Sequence, residues 1–142
     1  FYAEKLLISK QDQLSHMHTH VIKAEDIINR GRATLVIELY GSDAEGKFDE
    51  GAGGTVWCDG LRRDFGPGEK VKLAPGESVT LMPGDWHAFW GEGGDVLIGE
   101  VSTVNDDETD NIFREPIGRF ADIEEDTDPT HLLVSDYKTW LS

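Results

Sequence analysis

Residues 16–20 read HMHTH, three imidazoles at alternate positions. Side chains at i, i+2 and i+4 of an extended strand point to one face, so His16, His18 and His20 are expected to line a single surface. Imidazole nitrogen is a ligand for divalent first-row metals, and neighbours in such a row can share one ion. The outer two stand about 13 Å apart at about 3.3 Å per residue, so one histidine is left out of any such site. Four residues, VIKA, separate His20 from Glu25, and His87 follows the turn PGD in MPGDWHAFW. Two of the three histidines, that carboxylate and the distant imidazole form an N3O set, which suits Mn, Fe, Co, Ni or Zn.

Such a set needs short strands that turn back on one another. Sixteen glycines and recurrent Gly/Pro clusters point to many strands joined by tight turns. Apolar or alternating runs predict strands at residues 6–9, 14–21, 34–40, 55–58, 61–65, 70–73, 78–82, 87–90 and 96–104, the pattern of an all-β sandwich or barrel. Asp59-Gly60 between TVWC and LRRDF predicts a two-residue type I′ hairpin, whose central residues both take positive φ. Pro67-Gly68, Pro75-Gly76 and Pro83-Gly84 recur every eight residues and predict a meander of short antiparallel strands. KAEDIINR, residues 23–30, reads either as one or two helical turns ending at Gly31 or as a further strand. The acidic stretch 121–129 reads as a solvated loop ending at Pro129.

The 142 residues suit one domain, 1–142. With 28 acidic against 13 basic residues the formal charge is −15, which repels polyanions; neither nucleic acid nor an anionic membrane is an expected partner. No apolar run approaches the roughly 20 residues of a membrane span. The opening FYAEKLLISK lacks a signal-peptide core, so a cytoplasmic protein is expected. The first residue is Phe1 rather than Met, as expected of a trimmed product or of part of a longer chain with an N-terminal extension. Cys58 is the single cysteine, so neither an internal disulfide nor a thiolate cluster can form.

HTHVIKAE, with Gly31 after it and Gly76, Pro83, Gly84 and His87 later, resembles the two motifs of the cupin superfamily, whose first motif is HxH, four residues, then Glu. The resemblance implies a double-stranded β-helix, or jelly-roll, barrel with few short helices. It also selects His18 and His20 over His16, giving His18, His20, Glu25 and His87 as the metal ligands. Counted from the earlier pair, six residues would precede the carboxylate; His16 then becomes a bystander one pleat along the same face. Gly91 stands where the superfamily has asparagine. KAEDIINRG, together with FREPIGRF at 113–120 and IEED at 123–126, is similar to the D-lyxose isomerase branch of cupins. There the family tends to continue with more glycine, whereas this chain has Arg32 and Ala33.

That resemblance implies interconversion of D-lyxose with D-xylulose, and of D-mannose with D-fructose, through a metal-stabilised cis-enediol or enediolate. Such chemistry needs open coordination positions for two sugar oxygens. Four protein ligands on a six-coordinate ion leave two, which favours Mn²⁺, with Zn²⁺, Fe²⁺ and Co²⁺ as alternatives. Lys23, between the second histidine and Glu25, and Glu115, in FREPIGRF, are the implied acid–base pair. Asp26, Phe89 and Arg119 are candidate substrate contacts. Each has a plainer reading: Asp26 as a turn cap, Phe89 as core, Arg119 as a partner for the acids at 124–126. The substrate is expected to be a small neutral monosaccharide, and the resemblance implies a homodimer. The rival readings are a sugar-phosphate isomerase, an Fe-dependent cupin oxygenase and a non-catalytic sugar-binding cupin.

Overall fold

The computed structural model of the chain describes residues 1–106, 109–117, 124, 126–132 and 136–141. Among these residues there are nine strands, β1 (Tyr2–Ser9), β2 (Ser15–Thr19), β3 (Glu25–Tyr40), β4 (Gly54–Cys58), β5 (Leu61–Phe65), β6 (Glu69–Leu73), β7 (Ser78–Leu81), β8 (Trp86–Thr103) and β9 (Ile112–Phe113). One helix, α1 (Tyr137–Trp140), follows. The strands form a single antiparallel nine-stranded sheet of order β5-β4-β7-β3-β8-β2-β9, with β1 on β8 and β6 on β3. This is the all-β cupin barrel that the motifs implied. Among the described residues no helix is long and apolar enough to cross a membrane.

The frame of the barrel is the ladder between β3 and β8, which runs from Glu25↔Ser102 to Tyr40↔Trp86. Residues 23–30 are therefore mostly strand. The two strands expected at 87–90 and 96–104 are one, β8, which bends instead of ending. The bend falls where Arg32↔Val96 gives way to Thr34↔Glu92, with Gly93 at φ 80° and Arg32 opposite at φ 81°. Gly91 has a steric reason: a Cβ there would lie 2.6 Å from the Gly94 carbonyl oxygen, so the asparagine of other cupins does not fit this corner.

The hairpin at Asp59-Gly60 forms as expected, with φ 49° and 79° and Cys58 paired to Leu61. The three Pro-Gly turns also form; Glu69, Glu77 and Asp85 donate their N–H groups back to Gly66, Ala74 and Met82. The meander does not. β6 and β7 pair with different halves of β3, and β5 pairs back with β4, so the strands on either side of each Pro-Gly turn cross the barrel rather than lie side by side. A roll buries one face of every strand against the opposite wall, which a flat meander of four- and five-residue strands cannot do alone. Leu35, Ile37, Leu39, Val56, Val71 and Val79 fill the interior at 0% exposure. Each such side chain contributes about 1.5–3 kcal/mol by burial.

Candidate metal centre and adjoining pocket

The roll brings the two ends of the ladder together, Glu25 from one and His87 from the other, and there the inward positions turn polar. His18 lies on β2, His20 just past its end, Glu25 opens β3, and His87 is the second residue of β8. Their ligand atoms all lie within 4.8 Å of one another. His18 faces His87 across the β2–β8 pair, ring centroids 4.2 Å apart.

The histidines' outer nitrogens fix their chemistry. Nδ1 of His18 meets the His16 carbonyl at 2.7 Å, Nδ1 of His20 the Asp110 carbonyl at 2.6 Å, and Nδ1 of His87 the Asp85 carbonyl at 3.0 Å. A carbonyl only accepts, so each Nδ1 carries the proton and each Nε2 presents a bare lone pair. Nε2 of His20 and of His87 are buried without a hydrogen-bond partner, as is Glu25 Oε1, although Oε1 stands 3.4 and 3.1 Å from them. Three buried acceptors with no donor between them carry a desolvation cost that a cation relieves. The residues present fit a divalent ion. Burial, then the neighbouring His87, pushes His18 down to about 2, so its ring stays neutral and ready to ligate. Burial opposes charge on Glu25, but the Lys23 ammonium, 2.6 Å from Oε2, holds its carboxyl below the usual range.

His16 does not share the face of its neighbours. Ser15 pairs with Phe89 and His18 with His87, so three steps along β2 oppose two along β8. That extra residue is a β-bulge, and it reverses the alternation upstream of His18. His16 is exposed and turns to an outer groove beside Glu38, Tyr40 and Ala88.

A pocket of about 180 Å³ opens beside the cluster, lined by His18, Lys23, Glu25, Phe89, Glu100 and Phe113 among others. Lys23 is 3% exposed, with Nζ 2.6 Å from Glu25 Oε2 and 3.0 Å from Glu100 Oε1. Burial favours the neutral amine, yet the two carboxylates outweigh it and raise Lys23 above its ordinary value, so it is an ammonium. Phe89 is part of the hydrophobic core and also lines the pocket, its ring parallel to His87 at 6.4 Å.

Other expected contacts fall elsewhere. Glu115 has a side chain 70% exposed in the outer groove with His16, away from the pocket lining. Asp26 follows Glu25 on the strand and therefore points to the opposite face, where it accepts a hydrogen bond from the Thr80 hydroxyl. Arg119 lies outside the described residues, as do 118, 120–123 and 125 of the segments read with it.

Two residues were missed. Glu100 is 7% exposed and also 3.3 Å from Lys5 Nζ. Its signal was a lone carboxylate at the inward parity of Val96 and Ile98. Asp110, 2% exposed, accepts the backbone N–H groups of Val21, Ile22 and Lys23 at 2.8, 3.0 and 2.9 Å, pinning the turn between His20 and Glu25. Burial opposes its charge, and those N–H donors outweigh it and lower its carboxyl.

A family model described as D-lyxose isomerase matches residues 1–137. The chain is 48% identical over 143 residues to a D-lyxose/D-mannose isomerase of Serratia proteamaculans, covering 99% of this chain and 62% of that protein. It is 43% identical over 139 residues to one of Escherichia coli O157:H7, covering 96% and 61%. The chain thus spans about three-fifths of the length of these relatives. Among solved structures it resembles L-ribose isomerase of Cellulomonas parahominis (TM-score 0.57, 18% identity, 79% of this chain and 57% of that one). The Acinetobacter sp. DL28 L-ribose isomerase solved with L-ribose is similar (TM-score 0.56, 17% identity, 81% and 59%). These likenesses are of fold.

Proposed function

The chain belongs to the D-lyxose isomerase family, and on that premise we propose that it isomerises D-lyxose to D-xylulose and D-mannose to D-fructose, with a divalent ion, Mn²⁺ first, held by His18, His20, Glu25 and His87. The observation that carries the proposal is the set of bare, buried Nε2 and Oε1 atoms converging beside a pocket that also holds a lysine ammonium and a second carboxylate. When bound, the ion would polarise the carbonyl and adjacent hydroxyl of an open-chain aldose.

The chain's own groups do the rest. Lys23 is a charged donor at Nζ, suited to hold the sugar oxygens, to release a proton to O1 as negative charge develops there and to take back the proton that O2 gives up as it becomes the new carbonyl. Glu100 is the pocket carboxylate not aimed at the ligand cluster, and it is suited to take the proton from C2 and return it to C1. The base expected at Glu115 is reassigned to Glu100 on that ground. Phe89 offers an apolar face to the sugar carbons, and Leu7 and Ile27 help exclude water.

A neutral sugar is favoured over a sugar phosphate. A phosphate site wants clustered, free cations. Among the described residues Lys5 and Lys23 are the cations lining the pocket and both lie on Glu100, while Arg30 and Arg32 are exposed outside it. Family likeness extends the proposal to a cytoplasmic homodimer, its assembly readable by light scattering. The test is to incubate metal-stripped protein with D-lyxose, D-mannose and D-xylulose, with and without Mn²⁺, and follow aldose–ketose conversion. Conversion only with metal, lost in Glu25→Gln, is expected; silence on all three sugars sinks the assignment.

A further inference from the structure

β1 alternates along its whole length. Tyr2, Glu4, Leu6 and Ile8 are exposed, while Ala3, Lys5, Leu7 and Ser9 take the inward parity, with Leu7 packed on the core. A lysine between Ala3 and Leu7 at such a position serves packing poorly, since lysine is among the residues least often buried. The register shows what it meets. Lys5 pairs with Glu100 in the β1–β8 ladder, and residues directly opposed in a ladder carry their side chains on one face. Lys5 Nζ stands 3.3 Å from Glu100 Oε1, and Lys5 lines the pocket beside the metal ligands.

Two ammonium groups therefore approach the same carboxylate oxygen, Lys23 Nζ at 3.0 Å and Lys5 Nζ at 3.3 Å from Oε1. The two are not equivalent. A lysine ammonium has three N–H donors. One of Lys23 is directed to Glu25 Oε2 at 2.6 Å, one to Glu100, and the isomerase reading gives the third to the sugar. The position of Lys23 thus answers to a metal ligand and to the substrate. The position of Lys5 is set by an unbroken run of backbone pairs, Tyr2↔Thr103 to Ser9↔Val96. A general base has to keep its reach and angle to the proton it takes, and an anchor tied to the barrel wall supplies that constancy.

Resting on the isomerase reading above, in which Glu100 is the base, we propose that Lys5 is the positioning residue of that base. Its ammonium fixes Oε1 from the barrel wall, which leaves Oε2 as the oxygen that takes the proton from C2. Lys5 acts through Glu100 and carries no proton of the reaction itself. An ion pair that only joined β1 to β8 would change stability and leave turnover per folded molecule untouched.

The test compares the unaltered Mn²⁺-loaded protein with Lys5→Met, Lys5→Arg and Glu100→Gln, measuring bound metal, kcat and KM for D-lyxose and for D-lyxose deuterated at C2. A general base is worth about 10²–10⁴-fold and misplacing it forfeits part of that, so Lys5→Met should lower kcat by about 10–100-fold with KM kept within about twofold. Deuterium should slow Lys5→Met at least as much as the unaltered protein, because transfer of the C2 proton is the step impaired. Bound metal per chain should stay the same, and Lys5→Arg, which restores a cation on Oε1, should recover most of the rate. A raised KM at unchanged kcat would assign Lys5 to the sugar and overturn the positioning role. Undiminished turnover of Lys5→Met, loss of its metal, a smaller isotope effect or no recovery in Lys5→Arg would overturn it too. Glu100→Gln separates this role from the reading beneath it. If that variant is inactive, a fully active Lys5→Met removes Lys5 alone; a fully active Glu100→Gln removes the base assignment and Lys5 with it. Silence of the unaltered protein on D-lyxose removes the isomerase reading and everything resting on it.

Discussion

The two halves of the β3–β8 ladder use the same backbone pairing for opposite ends. Beyond the bend, Leu35, Ile37 and Leu39 meet Val71 and Leu73 in an apolar interior, to which His87, inward opposite Leu39, is the polar exception. Before it, the inward positions of the two strands include Glu25, Glu100 and Ser102, beside two buried imidazoles and a buried lysine. Apart from His87, the first half is complete as folded. The other keeps acceptors with nothing to accept, a structure that is fully satisfied only with a cation present.

Substitution should separate the halves. Ile37→Ala, at 0% exposure, is expected to cost about 2–5 kcal/mol whether or not metal is added, with activity per folded molecule kept. Glu25→Gln should do the reverse. Its amide supplies a donor to a bare histidine lone pair, so the metal-free protein keeps its stability. The gain of about 2.7 kcal/mol that the unaltered protein shows at a hundredfold excess of metal over its Kd disappears, and so does isomerisation. Paired urea titrations with and without Mn²⁺ read both; a metal-induced gain retained in Glu25→Gln breaks the contrast.

Asp110 sharpens it at the next level. Asp110→Asn should weaken metal binding by about 10–100-fold, because the turn that sets His20 against Glu25 loses its anchor. The acid limb should change as well. A carboxyl lowered in the folded state contributes stability that is present above its unfolded value, about 3.9, and lost as pH falls through the folded one. The unaltered protein should therefore lose stability more steeply below about pH 4 than Asp110→Asn, and Tm measured from pH 6 down to pH 2 decides. The smallest effect belongs to the bend. Arg32 holds φ 81°, a conformation that costs a side chain roughly 1–2 kcal/mol, so Arg32→Gly should stabilise by about 1 kcal/mol without altering metal content.

The halves were also unequally legible. The four residues that converge, His18, His20, Glu25 and His87, could be picked out because they stand in short segments that resemble the two cupin motifs. The Pro-Gly turns at 67–68, 75–76 and 83–84 were equally plain, but a turn fixes where a chain reverses and not which strand it meets. Partner choice depends on burying every strand against the far wall, and the expected meander was wrong for that reason. Nothing in HMHTH marks the bulge that turns His16 outward, since no glycine or proline interrupts it. Asp110 stands in an acidic run, NDDETDN, where a buried anchor looks like its solvated neighbours. Glu100 could have been found from the parity of VLIGEVS.

The bulge separates two histidines two residues apart, so it also supplies the sharpest test of the centre. Metal-stripped unaltered protein, His16→Ala and His18→Ala are each equilibrated with Mn²⁺, desalted and measured for bound metal per chain. One ion in the first two and none in His18→Ala is the predicted result. A full ion retained by His18→Ala, or lost by His16→Ala, would contradict the assignment of the converging lone pairs as the metal site.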